Sequence, residues 1–546
     1  MRISVRLLMM LWSVSLAFAA LADQTHQHVA GDPEQLGSVQ FATSCAPEAE
    51  VQLSRATAML HSFWYEEAGE QFRQAAEANK ECAIAWWGVA MSQWQPLWEP
   101  RGPNPEAFQQ GLAAIQKATE LNGGSAAERD FIDALHSFYA NSDSVDHRDR
   151  VRAYETAMEN LFANHPQNTE ARVFYALSLL GSATSMPPDK SYRRQRKAGQ
   201  LLMPVFDSQP DHPGAAHYII HAYDYPSLAD GALKAARRYA EIAPDSPHAQ
   251  HMPSHIFTRL GLWDDSISSN RNVVRVARKY DIVGEELHAM DYLVFGHLQK
   301  GEDDAALQVM GEMPKARADG PLYFAGVHAH AAIPARYAVE RGQWREAAEL
   351  PEPKDFPGGR YVWADAAIYF ARALGAARSG EVAQARRDLS KLASFHQTLL
   401  QHKEDYWATQ VEIQRLAAEA WLSLAELRRD RALAAMRSAA ALEDTTDKHP
   451  VTPGHIVPAH DLLGQMLLEL ERPDEALEAF DRVLRAEPNR FGAIYGGARA
   501  AERIGRTDLA HQRYAQLVEL APNSEREAVQ QARAYLAGHQ ARSDGK

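Results

Sequence analysis

Residues 217–257 read HYIIHAYDYPSLADGALKAARRYAEIAPDSPHAQHMPSHIF, and one interval inside them sets the architecture. His217 and His221 stand four apart, as do His251 and His255, and each member of the second pair follows its counterpart by 34 residues. A four-residue step puts two side chains on one helix face, one turn apart. Repetition at 34 is the period of a helix–turn–helix unit that stacks on its neighbours, because a single unit cannot bury its own apolar side.

Outward from this stretch, the chain is helical in pattern from Pro47 onward, with alanine and leucine at three- and four-residue spacing and no sustained alternation. In a 34-residue frame, Gly464, Ala476, Phe480 and Pro488 take positions 8, 20, 24 and 32, and Ala510, Tyr514 and Pro522 repeat positions 20, 24 and 32. Ala68, Phe72 and Ala75 suit positions 20, 24 and 27, which puts Trp86 at position 4 of the next unit. Small residues let the two helices of a unit approach, the aromatic fills the gap to the next unit, and the proline ends the second helix. Middle units run through 212–244, 246–280, 285–315, 321–350, 362–397 and 405–442, with turns at Gly261, Gly301, Gly342 and Gly380.

These residues resemble the tetratricopeptide repeat (TPR) family. Together with an N-terminal leader and the HAYDYP and HMPSHIF blocks, they look like an exported bacterial group within it. The resemblance implies an all-α, right-handed helix–turn–helix superhelix of about ten to twelve units. It also implies that the first helix of each unit lines a concave groove, with positions 2, 5, 9 and 12 facing it. His217, His221 and Asp224 then occupy positions 5, 9 and 12, and His248, His251 and His255 occupy 2, 5 and 9, with Arg259 one turn further on. Carrying the frame forward through the turn glycines adds His288 and Asp291, then His328 and His330.

Paired histidines on facing helices form a natural chelate for a first-row divalent metal, since imidazole suits zinc, copper and iron. The candidate ligands are His217, His221, His248, His251, His255 and His288, with Asp224, Arg259, Asp291, His328 and His330 lining the same groove. Histidine can equally serve as a neutral hydrogen-bonding or packing residue. Three uses stay open: a metal-binding groove, a metal-free adaptor for a protein or peptide, and a metal-dependent hydrolase or oxidoreductase with Asp224, Glu285 or Asp291 as proton carrier. No nucleophile motif, Gly-rich phosphate loop or HExxH helix offers another chemistry.

The remaining features bound the setting. Arg2 and Arg6, an apolar run and Ala20-Leu21-Ala22 form a secretory signal over 1–22, so export, to the periplasm, is expected. Without the two leader arginines the chain carries 55 basic against 71 acidic residues, a net −16, which argues against nucleic acid as partner. No later stretch is apolar enough for a membrane helix. Cys45 and Cys82 either pair or remain separate thiols.

By segment, 23–46 reads as a flexible lead-in, 47–200 as N-terminal repeats, 201–345 as the histidine-rich repeats and 346–447 as further repeats. Residues 448–458 form a proline-rich connection, 459–536 the consensus-like repeats and 537–546 a disordered tail. Two HSF motifs, His61–Phe63 and His136–Phe138, read as turn packing. Trp94 and Trp98 flank a proline-containing turn where a ligand could stack.

Overall fold

The computed structural model describes residues 35–97, 101–313, 324–353 and 361–544, with side chains described as far as residue 539. The signal segment 1–22 and Trp98 lie outside the described residues. Within them every regular element is a helix, and the helices pack as consecutive pairs, an all-α solenoid of the TPR type.

Side-chain size dictates the pairing as the repeat frame requires. The Phe480 ring lies so close to Gly464 and Gly496 that a Cβ at either would run into it, and Phe72 meets Gly88 in the same way. Gly261, Gly301, Gly342 and Gly380 turn the chain with φ of +63° to +84°, backbone that favours glycine. At Gly261 a second constraint is added, since a Cβ there would strike the Pro488 carbonyl of the C-terminal units.

That contact belongs to a closure of the chain on itself. Trp263 Nε1 donates to the Asn489 carbonyl (2.9 Å), Asn489 Nδ2 to the Gly261 carbonyl (3.2 Å), and the Phe491 amide to Gln299 Oε1 (3.1 Å). Arg526 pairs with Asp303 (2.9 Å), and Arg490 is buried against Glu340 and Glu487. The C-terminal units therefore pack on the central ones. The segment around the proline-rich connection crosses between them: Tyr192 donates to Asp447 (3.1 Å) and Tyr292 to the Pro450 carbonyl (3.1 Å).

Two segment expectations are corrected. Residues 35–46, the described part of the lead-in, are not free: Leu36, Val39 and Phe41 are buried, and Phe41 lies edge-on to Phe131 at 5.4 Å. Three apolar residues in extended chain suffice to dock a segment whose average composition is polar. The tail expected to be disordered continues the helix Glu527–Asp544. Cys45 and Cys82 are joined by a disulfide, tying this docked segment to the turn before helix Ala83–Gln93. Trp94 is buried and stacked on Phe138 of the second HSF motif (3.8 Å), which makes it a packing residue. No helix among the described residues is long and apolar enough to cross a membrane.

Candidate metal centre

Three successive first helices of the helix pairs, those expected to line the groove, carry the six histidines, and His217, His251, His255 and His288 are buried between them. Pro213–Tyr223 holds His217 and His221, and its N-cap is His212, whose Nδ1 accepts the Ala215 amide (3.2 Å). The next groove helix is broken in two, Pro247–His251 and Pro253–Arg259, each with proline in its first turn, where a missing N–H is tolerated. It carries His248, His251 and His255. His288 comes from Val283–Gln299.

Stacking these helices gathers the histidines into two triads, His217 with His221 and His248, and His251 with His255 and His288. In the first, His217 Nε2 lies 3.0 Å from His221 Nε2 and 3.1 Å from His248 Nε2. His217 Nδ1 is 2.6 Å from the His61 carbonyl, which can only accept, so Nδ1 carries the proton and Nε2 presents a lone pair. Phe63 packs on all three rings at 4.3–5.5 Å, and Tyr239 stacks on His217 at 5.1 Å. The first HSF turn is thus the back wall of a triad. Its motif alone could not show that, because the contact joins residues more than 150 positions apart.

The second triad is more constrained. Asn270 Nδ2 donates to the Ser266 carbonyl (2.8 Å), which turns its Oδ1 toward His251 Nδ1 (2.9 Å) and fixes the proton there. His255 Nδ1 donates to Asp224 Oδ2 (3.0 Å). Both Nε2 atoms are then unprotonated, and they face each other at 3.1 Å. Burial pushes all six imidazoles below the usual histidine range, so neutral rings prevail. Two lone pairs at that separation repel unless a cation lies between them. Tetrahedral zinc with bonds near 2.0–2.1 Å separates its nitrogen ligands by about 3.3 Å, close to the distances here. The triads adjoin: the rings of His221 and His255 are 6.4 Å apart.

Around the two triads, the outer layer is built from the residues expected in the groove from sequence and from others that were not. Asp224 accepts from His255, from Arg259 Nε (2.8 Å) and from Lys448 Nζ (3.3 Å), while its own carbonyl accepts Arg259 Nη2 (2.9 Å). Burial alone would raise its carboxyl, but Lys448, Arg259 and His255 outweigh it and hold Asp224 well below the carboxylate range. A carboxylate–histidine pair of this kind orients a metal ligand and raises its basicity. Asp224, already saturated with donors, is placed to orient His255 and has no free oxygen to carry a proton.

Asp291 receives Arg336 Nε (3.1 Å) on one oxygen, while the other is buried without a partner, 3.9 Å from His328 Nε2. Glu285 keeps Oε2 shut off from water without a partner, and burial raises its carboxyl to about 7. His330 does not join His328: two residues apart on a helix they point roughly 200° apart, and it is partly exposed. Lys448, Tyr292, Asn270 and Phe63 were not anticipated from sequence. Tyr292, four residues after His288, had the one usable signal, the i,i+4 step that brings its ring within 4.7 Å of His251.

A third buried group behaves differently. Glu170 accepts from His61 Nε2 (2.7 Å) and His212 Nε2 (2.9 Å), and His61 Nδ1 meets the Tyr218 hydroxyl (3.0 Å). Every ring nitrogen has a partner, because His212 Nδ1 takes the Ala215 amide. This cluster secures the turn whose carbonyl holds His217.

No protein-family model matches the chain, and no curated protein matches it in sequence. Solved structures similar to it include Naa15/Naa10 bound to HypK-THB, at 13% identity over 91% of this chain and 74% of that one, with a TM-score of 0.23. The TPR domain of P58(IPK) aligns at 16% identity over 67% of this chain and 99% of that one, with a TM-score of 0.21. Yeast Tom70 aligns at 11% identity over 91% and 97%, with a TM-score of 0.29. At this extent of superposition the fold assignment rests on the chain's own consecutive helix pairs.

Proposed function

We propose that this protein is an exported helical-repeat scaffold that binds two first-row divalent transition-metal ions, zinc, copper or iron, one at each histidine triad. The observation that carries the reading is the pair of facing, unprotonated Nε2 atoms of His251 and His255, whose protons are fixed on Nδ1 by Asn270 and Asp224. Three protein nitrogens per ion leave coordination positions for a small ligand, which is the pattern of a reactive site rather than a closed structural one. Export is supported by the leader and by the Cys45–Cys82 disulfide, a bond kept in oxidising compartments.

A protein or peptide partner in the groove is the second reading, favoured by the scaffold itself. His217, His251 and His255 are 0–3% exposed, so such a partner would meet the outward helix faces and not these side chains. Titration of chelator-treated protein with each metal, followed by calorimetry, tests the first reading. Saturation at two equivalents is expected, and no heat with any of the three metals would overturn it.

A further inference from the structure

A cavity of about 60 Å³ lies beside the second triad, between helices Val362–Arg378 and Asp405–Ala425 and the proline-rich connection. At roughly 10–15 Å³ for each enclosed water, it has room for a molecule of about four to six non-hydrogen atoms. One wall is aromatic: Trp363 and Trp407 stack at 4.1 Å, with Tyr406 beside them. The polar lining begins against that wall, where the His328 ring lies 5.7 Å from Trp363 and 6.0 Å from Trp407. His328 lines the cavity, is 8% exposed, and has neither ring nitrogen hydrogen-bonded.

Lys448 lines it too, and its ion-pair partner is shared. Its carboxylate partner Asp224 is shared with Arg259 and with the His255 N–H. Asp224 is the one carboxylate hydrogen-bonded to Lys448, with Glu487 acting on it from further off, so the ammonium can take a further acceptor beside the apolar wall. Glu443 also lines the cavity, but its Oε2 accepts the Ala459 amide (2.8 Å) and faces His455 at 4.0 Å. His455 stands between Glu443 and Glu487.

We propose that this cavity binds a short-chain organic carboxylate, its anionic end held by Lys448 and the His328 ring N–H and its alkyl end against the Trp363–Trp407 wall. A charge-assisted hydrogen bond from a buried ammonium selects an anion over a neutral isostere. The proposal extends the metal-centre reading, since Lys448 also binds the carboxylate that orients His255, yet it is tested independently of metal content.

The experiment is isothermal titration of the full-length metal-loaded protein with butyrate, butyramide and n-butylammonium, with elemental analysis of the same samples. Saturable butyrate binding is expected, at least about tenfold tighter than either isostere. Lys448→Met should weaken it by about tenfold or more, and Ala417→Leu, which fills the cavity without changing charge, should abolish it. If Lys448→Met fails to fold, the isosteres and Ala417→Leu still decide. Butyramide binding as tightly as butyrate, unchanged binding in either folded variant, or no saturation by butyrate or acetate would overturn the proposal. Metal without butyrate binding would remove this inference alone, and butyrate binding without metal would remove the metal reading alone.

Discussion

Two of the three buried histidine clusters differ in where their protons go. At His61, Glu170 and His212 each ring nitrogen meets a hydroxyl, an amide or a carboxylate, and Glu170 uses both oxygens. At His251 and His255 the outer partners consume the N–H groups and leave bare lone pairs opposed at 3.1 Å. Both clusters have ligand-like residue types at ligand-like distances, and both are buried. Satisfaction of hydrogen bonds, rather than composition, separates a structural cluster from a candidate metal centre.

The sharpest way to break this distinction is to remove one member of each cluster. His61→Ala should cost about 3–5 kcal/mol of stability, because it strips a donor from the buried Glu170 carboxylate. Bound metal should remain, since the His61 backbone carbonyl still holds His217. Chemical denaturation with parallel metal analysis checks both halves. Loss of metal in a folded His61→Ala protein would put the two clusters in one class.

Two carboxylates extend the contrast to pH. Glu170, with both oxygens partnered, is lowered to about 2: burial opposes ionisation, but His61 and His212 outweigh it. Its contribution is present above the ordinary value of 4.5 and is lost as pH falls through about 2. Glu285, with an unpartnered oxygen, is raised by burial to about 7, so its sign is opposite. Its contribution to the stability of the metal-free protein should fall as pH rises from 4.5 through about 7, by up to about 3 kcal/mol. The histidines that burial lowers follow the opposite trend, their cost shrinking as pH rises toward 6.5. Glu285→Gln should therefore make stability rise more steeply with pH across that window than it does in the native protein. Denaturation midpoints across this window provide the check, and an unchanged slope would show that Glu285 is not the group responsible.

A smaller effect is expected at the outer layer. Asn270→Ala frees His251 to carry its proton on either nitrogen, and should weaken metal binding at the second triad by about 10–100-fold while leaving the first triad intact. Competition with a chromophoric chelator measures it. Equal weakening at both triads would mean that the two sites are not independent.

Much of this arrangement was readable in the chain. The 34-residue interval and the four-residue step place His217, His221, His251 and His255 on facing helices, and the same frame adds His248, His288, Asp224 and Arg259. Periodicity reports which residues share a face in neighbouring units, and the triads use little else. It carries no information on what crosses from the far end of the chain. Lys448 reaches Asp224 across 224 positions, and His61 reaches His217 across 156, because the C-terminal units close on the central ones and the first turn tucks behind them. His330 shows the converse: a frame counted from glycine turns tolerates an offset of two, whereas a helix face does not.

The most direct test is elemental analysis of protein exported from cells and purified without chelator or affinity histidines, beside the His217→Ala/His251→Ala variant. The account predicts close to two first-row metal ions per chain in the native protein and none in a variant of unchanged helicity. Native protein that stays metal-free after reconstitution with zinc, copper and iron would contradict it.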